Sequence, residues 1–214
     1  MNAVLLEGIV KRIGRFTLAI DRLAVPAGSI TAVVGHNGAG KSTLLSLLAL
    51  LDTPDSGTVS IFGAAEKGGG KRLAQRRGIS LLLQEAVMLS LSVRDNVAYG
   101  LRLRGMADDA VARRVAAVIE EMALTPLADR RATELSGGEA RRVAFARAIA
   151  VPAKLYLFDE PATGADARSA ELIEEAIRRL AREGNTLLFA AHDGMQREKL
   201  ADRTVILEEG RIAG

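Results

Sequence analysis

Residues 35–42 read GHNGAGKS, in which spaced glycines are followed by a lysine and a hydroxyl residue. In the pattern GxxxxGK followed by Ser or Thr, the glycines let the main chain wrap so that its N–H groups converge on phosphate oxygens. The positive end of the helix dipole that follows such a loop adds to the attraction. We therefore expect residues 35–42, here called the phosphate loop, to bind a nucleoside triphosphate.

Individual roles within the phosphate loop follow from the chemistry of its side chains. Lys41 is expected to act in catalysis by reaching the β- and γ-phosphates, and the Ser42 hydroxyl is expected to ligate Mg²⁺. The alternative is a glycine-rich turn that fits the pattern by coincidence. The residues expected to contact the nucleotide are Gly35, His36, Asn37, Gly38, Ala39, Gly40, Lys41, Ser42 and Thr43.

Two adjacent carboxylates, Asp159 and Glu160, follow the apolar residues 155–158, which read LYLF. Such a run predicts a buried strand, and open α/β sheets place their ligands at the C-terminal ends of their strands. Asp159 fits a second Mg²⁺ ligand, and Glu160 fits a general base that polarises the attacking water. Taken alone, an Asp-Glu pair is also explained by a helix cap or a solvated loop, but the phosphate loop favours the catalytic interpretation.

The elements that must position these residues show in the hydrophobic pattern. Residues 16–34 predict strands with a turn at 26–28, and the apolar run 30–34 suits a strand buried on both faces. Residues 41–51 suit a buried helix, and residues 58–62 a short strand. The phosphate loop therefore lies between a strand and a helix, as its mechanism requires.

The middle of the chain changes to helical spacing from about residue 90, most clearly in Val111, Val115, Val118, Ile119 and Met122. Strand patterns return at 155–158 and 187–191, separated by an amphipathic helix, and a last strand is expected at 204–207. The predicted fold is a single α/β domain over residues 1–214. Residues 1–84 and 151–214 form its nucleotide-binding core, and residues 85–150 form a helical insertion.

Composition sets limits on the class of protein. The 214 residues carry a net charge of only +3 and no cysteine, and no apolar run approaches the roughly 18 residues that cross a bilayer. We expect a cytoplasmic globular protein. The basic cluster Lys71, Arg72, Arg76 and Arg77 follows glycines 68–70 and is interpreted as a solvated surface loop, so no nucleic-acid partner is expected.

Residues 135–139 read LSGGE and are followed by ARRVAFARAIA. Ser136, Gly137 and Gly138 are expected to open a helix whose N-terminal N–H groups can hold another anion, and Ser136 with Glu139 also fits a capping box. This segment resembles the signature motif of ABC ATPases. The resemblance implies that residues 136–139 contact the γ-phosphate bound by a partner chain. Two chains would then form a head-to-tail homodimer around two ATP molecules.

Further landmarks of the ABC family occur in order along the whole chain. Gln84 matches the Q-loop glutamine, which the resemblance makes a catalytic residue and a Mg²⁺ ligand, and His192 matches the catalytic H-loop histidine near the γ-phosphate. Asp166 matches the D-loop aspartate, but residues 163–166 read TGAD where the family has a small polar residue, Ala, Leu and Asp. Looser packing across the dimer interface is therefore expected.

The aromatic residue that stacks on adenine in many ABC domains has no clear counterpart. Family spacing places Arg12 or Ile13 there, and Phe16 lies nearer to the phosphate loop than expected. None of the three is assigned to this role, and weak selectivity for the nucleobase is expected.

The resemblance implies the fold of P-loop NTPases with an N-terminal antiparallel β portion and an ABC-type helical subdomain. It also implies an ATPase at the inner face of the cell membrane, coupled to a separate permease and, in an importer, to a substrate-binding protein. Residues 47–59 and 92–105 are similar to ATPases of tungstate or molybdate importers. The alternatives are a lipoprotein-release or efflux ATPase, a non-transport ABC ATPase, and a metabolic P-loop kinase.

Overall fold

The fold is described from a computed structural model that covers residues 1–65, 69–85, 87–191 and 198–213, with side chains from residue 72 onward in the second range. Within these ranges the chain forms ten strands and six α-helices. The strands are β1 (Asn2–Ile13), β2 (Phe16–Pro26), β3 (Ile30–Val34), β4 (Ser56–Ile61), β5 (Ala64–Ala65), β6 (Ile79–Leu82), β7 (Leu155–Asp159), β8 (Thr186–Ala191), β9 (Arg203–Glu208) and β10 (Arg211–Ile212). The helices are α1 (Lys41–Leu48), α2 (Gly69–Arg76), α3 (Val93–Leu103), α4 (Asp108–Glu121), α5 (Gly137–Ala150) and α6 (Ala167–Arg182).

The strands form two sheets. A four-stranded antiparallel sheet has the order β2-β1-β4-β5, and a six-stranded sheet has the order β10-β9-β3-β8-β7-β6. In the larger sheet β3 pairs in parallel with β8 and β9, and β7 pairs in parallel with β8. The predicted fold class, a mainly parallel sheet with an N-terminal antiparallel β portion, is therefore confirmed.

The chain divides into two compact units. The first comprises Met1–Leu81, Ala153–Glu160 and Arg178–Gly214, and the second comprises Leu82–Pro152 and Pro161–Ile177. The first contains both sheets, apart from the last residue of β6, and α1, whose leucines pack into the hydrophobic core. That 85–150 serves as a functional subdomain of a nucleotide-binding core stays a prediction.

Three helices, α3, α4 and α5, pack together in the second unit. The predicted apolar face of α4 is confirmed, since Val111, Val115, Val118 and Ile119 are all buried. An arginine of each of the helices α4 and α5 binds main-chain carbonyls at the end of the other helix. Arg114 of α4 donates to the carbonyls of Ile149 and Ala150 at the end of α5, and Arg142 of α5 donates to those of Met122 and Ala123 just beyond α4.

Two predictions about the segment after the phosphate loop are wrong. The helix expected over 41–51 ends at Leu48, and Leu50 adopts a left-handed φ of 56°. The basic cluster expected in a loop lies in or next to α2. The side chain of Arg72 links the two segments, because it donates to the carbonyls of Leu50 and Asp52 and to the Thr53 hydroxyl at 2.6–2.9 Å. These tertiary contacts hold a helix that begins with two poor helix formers.

Among the described residues, no helix is both long enough and apolar enough to cross a bilayer.

Candidate nucleotide-binding site

The phosphate loop leaves the end of β3, a strand whose first four residues are buried. Two of its glycines, Gly35 and Gly40, have neighbours too close for a Cβ atom. A Cβ atom at Gly35 would lie 2.2 Å from the Leu207 carbonyl oxygen of β9. Gly40 has a φ of 105°, and a Cβ there would lie 2.7 Å from Cζ of Phe16. Neither position accepts another residue without movement of its neighbours, so the loop is held in one shape.

Replacement of Gly35 by alanine tests that account of the loop. The added Cβ would overpack a backbone carbonyl, and we expect the free energy of unfolding to fall by about 1–3 kcal/mol. Gly137→Ala is the matched control, because a Cβ there meets no neighbouring atom within 4 Å. Denaturant unfolding measures both. Equal stability of Gly35→Ala and the wild type would contradict the tight contact with β9.

Helix α1 begins at the end of the phosphate loop. Gly40 is its N-cap and provides no side-chain cap. The first-turn N–H groups of Lys41, Ser42 and Thr43 lack intrahelical partners, as in every helix. Leu44 makes the first helical bond, to the carbonyl of Gly40 at 2.9 Å. A helix start of this kind, with the loop N–H groups before it, is suited to an anion.

The ammonium group of Lys41 is buried beside the loop. Its Nζ donates to the carbonyl oxygens of Gly35 at 2.8 Å and His36 at 3.3 Å. The same atom lies 4.0 Å from Oε1 of Glu160, and each of the two side chains is only 6% exposed. The structure therefore brings together the cation and the carboxylate that the sequence places 119 positions apart.

The predicted carboxylate pair lies at the end of β7, which is buried throughout. Asp159 is opposite Ala190 of β8, and Val34 of β3 is opposite Ala191, so the phosphate loop and the carboxylates leave the sheet at the same edge. Glu160 adopts a left-handed φ of 51°. A non-glycine residue with this φ is strained, and such residues concentrate at functional sites.

The oxygen donors present fit Mg²⁺ bound together with phosphate. Ser42 is exposed at the start of α1, and the carboxylate of Asp159 is buried at the end of β7. Within the described residues there is no group of three or more His, Cys, Asp or Glu side chains that could hold a metal alone. Mg²⁺ usually takes one or two protein oxygens and completes its shell with phosphate oxygens and water. The donor set therefore suits a metal that binds with the nucleotide.

The start of α5 is the second predicted anion site. The predicted capping box is present, since the Ser136 N–H donates to Glu139 Oε2 at 2.9 Å and the Glu139 N–H to Ser136 Oγ at 3.4 Å. The Ser136 N–H and then its hydroxyl bind the Glu139 carboxylate and hold its pKa below the usual range. The carboxylate of Asp166 is 3.7 Å from the position of a Cβ on Gly138, so Asp166 lies beside the start of α5.

Three further residues singled out in the sequence have different outcomes. Gln84 is exposed in the second compact unit, and its carbonyl accepts a hydrogen bond from Arg141. Asp166 caps α6 by accepting bonds from the N–H and hydroxyl groups of Ser169. His192 lies outside the described residues, and its role stays a prediction.

Sequence reasoning missed two features of the site. The ring of Phe16 lies against Gly40 and so packs on the phosphate loop. Its alternation with Leu18 indicated a buried face but not the contact with the loop. Arg141 and Arg147 bind main-chain carbonyls near Gln84, and such contacts leave no mark in the pattern of side chains.

Comparisons with known proteins agree on one family. Residues 19–163 match the family described as ABC transporter. The chain is 39% identical to the sulfate/thiosulfate import ATP-binding protein CysA of Mycolicibacterium paratuberculosis, over 98% of this chain and 58% of that protein. It is also 39% identical to the phosphate import ATP-binding protein PstB 2 of Natronomonas pharaonis, over 92% of this chain and 71% of that protein. The chain thus spans less than two thirds of the first relative.

Solved structures of similar fold are ATP-binding cassettes. One is the dimeric, post-hydrolysis cassette MJ0796 bound to ADP and Pi, with a TM-score of 0.88, 24% identity, and coverage of 99% of this chain and 97% of that one. Another is cbiO1 from Clostridium perfringens, part of the ABC transporter complex cbiONQ. Its TM-score is 0.86 at 25% identity, with coverage of 100% of this chain and 87% of that one.

Proposed function

The chain belongs to the ABC transporter family, and on that basis we propose that it is the ATP-hydrolysing subunit of a transporter whose membrane permease is a separate chain. The observation that carries the proposal is the buried contact in which Lys41 Nζ lies 4.0 Å from Glu160 Oε1 beside the phosphate loop. It brings a cation for the phosphates and a carboxylate for the water to one place. ATP is the proposed nucleotide and Mg²⁺ the proposed metal.

In the proposed reaction, Glu160 orients a water molecule and takes one of its protons as the water oxygen attacks the γ-phosphorus. The new P–O bond forms as the bond from the γ-phosphorus to the β–γ bridging oxygen breaks, which yields ADP and phosphate. Lys41 stabilises the charge that grows on the phosphate oxygens. Ser42 and Asp159 would hold Mg²⁺, with Gln84 as a further ligand, and the ion supplies charge neutralisation at the same oxygens.

The second phosphate-binding element of the proposal is the start of α5. Ser136 and Gly137 are exposed there, and a 14-residue helix directs its partial positive charge toward that end. We propose that residues 136–139 bind the γ-phosphate held by the phosphate loop of a second copy. Two chains then bind head to tail around two ATP molecules, and His192 would lie near each γ-phosphate.

Exposed apolar side chains in the second compact unit support a permease-binding surface there. On α3, Tyr99 and Leu103 are four residues apart and therefore share a helix face, and both are exposed. Leu83, Val87 and Leu91, which precede α3, are exposed as well. We propose that residues 86–105 transmit each ATP-driven movement to a permease, which would place the chain at the inner face of the cell membrane.

The proposed cargo is a tetrahedral oxyanion. Both relatives described above are named for import, one of sulfate or thiosulfate and one of phosphate. They favour import, with a substrate-binding protein, over lipoprotein release or efflux. Tungstate or molybdate is the finer proposal, and its support is the likeness of residues 47–59 and 92–105 to ATPases of such importers.

Reconstitution tests the proposed function. The chain, the permease that co-purifies with it from native membranes, and the substrate-binding protein are placed in vesicles supplied with ATP. We expect ATP hydrolysis to be stimulated by the transported oxyanion, with tungstate and molybdate compared with sulfate and phosphate. Stimulation by sulfate or phosphate alone would overturn the tungstate proposal. Absence of hydrolysis in every condition would overturn the ATPase proposal itself.

A further inference from the structure

Two arginines of α5 bind main-chain carbonyls of Gln84 and Val87, which together with Glu85 are here called the Gln84 segment. Arg141 Nη1 donates to the Gln84 carbonyl at 2.5 Å, and Arg147 Nη2 donates to the Val87 carbonyl at 2.7 Å. Both ends of the segment are thus bound to one helix, within the second compact unit. A hydrogen bond from a charged guanidinium is stronger than one between neutral groups.

Each arginine also binds a second partner. Arg141 Nε donates to the Pro161 carbonyl at 3.3 Å, and Pro161 directly follows Glu160 in the chain. Arg147 Nη1 donates to Asn96 Oδ1 at 3.4 Å. The helix that carries the signature residues is therefore connected through arginines to both the Gln84 segment and the chain that leaves the carboxylate pair.

Asn96 extends the Arg147 contact along the chain. It is fully buried on α3, and its amide nitrogen donates to the carbonyls of Leu89, Leu91 and Ser92 at 2.9–3.3 Å. Its Oδ1 accepts the N–H of Leu89 at 3.0 Å. The main chain between Val87 and the start of α3 is thus held in place by one buried amide.

The guanidinium of Arg147 is partly buried. Desolvation lowers the pKa of its guanidinium, although an arginine side chain keeps its charge in a protein. A charge in this position is costly unless polar groups face it, and here the Val87 carbonyl and the Asn96 amide do so. Movement of Val87 away from α5 would remove a charge-assisted hydrogen bond from Arg147.

We propose that Arg141 and Arg147 are positioning residues that make the Gln84 segment and α5 move as one body. The inference rests on the proposed function, in which Gln84 and residues 136–139 both respond to bound nucleotide. Their responses would then reach the permease-binding surface as one movement, because Val87 belongs to that surface and is bound to the signature helix. The contacts use main-chain carbonyls, so they constrain the position of the segment and not the identity of its side chains.

A spin-label distance tests the proposal in the full chain. The wild type has no cysteine, so cysteines at Glu85 and Ala117, both exposed, give one labelled pair within the second compact unit. Ala117 reports on α4, which packs on α5. We expect one narrow distance distribution that is the same without nucleotide and with Mg²⁺ and ATP. A clear shift of the wild-type distance on addition of ATP would overturn the proposal.

Substitutions test whether the rigidity of this pair depends on the two arginines. Arg141→Met and Arg147→Met are expected to broaden the distribution, and Arg141→Met to lower kcat about tenfold with KM within about twofold. If the methionine variants fail to fold, Arg141→Lys and Arg147→Lys take their place, because they keep the charge. They should also broaden the distance distribution, because lysine lacks the planar fork of the guanidinium. Arg113→Met on α4, whose side chain is 72% exposed, is the matched control.

The outcomes separate this inference from the proposed function. A lower melting temperature with an unchanged distance distribution in the folded variants would mean that the arginines only stabilise the unit, and the inference would be wrong. A rigid pair that loosens in the variants, in a chain that hydrolyses no ATP, would uphold the rigid connection and refute the proposed function.

Discussion

Replacement of Glu160 by glutamine is expected to lower the rate of ATP hydrolysis by about 100- to 10,000-fold, the range contributed by a general base. The amide has nearly the same shape as the carboxylate but cannot take a proton from water. Lys41 would keep its hydrogen bonds to the carbonyls of Gly35 and His36, so the phosphate loop should keep its form. Single-turnover release of phosphate measures the rate, and equilibrium binding of ATP measures whether the loop is intact.

The control for Glu160→Gln is the same change at Glu171, which is exposed on α6. Its rate should equal that of the wild type. Glu160 is expected to matter because its carboxylate is buried 4.0 Å from the Lys41 ammonium, whereas Glu171 faces solvent. Hydrolysis by Glu160→Gln within about threefold of the wild type would remove Glu160 from the role of general base.

Replacement of Lys41 by alanine is expected to weaken ATP binding at least tenfold and to lower hydrolysis by about 100- to 1,000-fold, as loss of a charged transition-state contact does. The change removes the ammonium that the loop carbonyls hold beside Glu160. The other polar residues of the loop before Ser42 are His36 and Asn37, and neither carries the permanent positive charge of a lysine or arginine. Titration with ATP and steady-state phosphate release separate the two effects.

Lys154→Ala is the matched control for Lys41→Ala, because Lys154 is exposed and its two backbone hydrogen bonds do not depend on the side chain. Both variants lose one positive charge, so a general effect of net charge on ATP binding would appear in both. Normal turnover by Lys41→Ala would show that the phosphate loop does not act on the γ-phosphate.

The parts of the site that could be predicted from the sequence are those whose function depends on residues close together in the chain. The apolar run of β3, the glycines after it and the apolar residues of α1 predict a loop that opens a helix, and the structure has that order. The apolar residues 155–158 likewise predict a strand that leads into the two carboxylates, and β7 ends at Asp159. Parallel pairing then puts both ends at one edge of the sheet, a consequence of topology that follows once the strands are known.

The remaining features depend on contacts between distant residues. Helix α2 begins with two glycines, so its local composition predicted a loop. The helix is stabilised by the bonds of Arg72 to residues 50–53, which are distant in the sequence. The left-handed φ of Glu160 is imposed by its surroundings and has no signature in the residue itself. The arginines of α5 bind carbonyl groups, which every residue carries, and no sequence pattern shows which carbonyls they choose.

The most direct test is the mass of Glu160→Gln in solution with Mg²⁺ and ATP, measured by light scattering during gel filtration. If the start of α5 in one copy closes over the triphosphate bound by another, the variant should have twice the mass of one chain with ATP and return to a single chain with ADP. The account would be contradicted by a variant that binds ATP yet has the mass of one chain in solution and is present as one copy in complex with its permease.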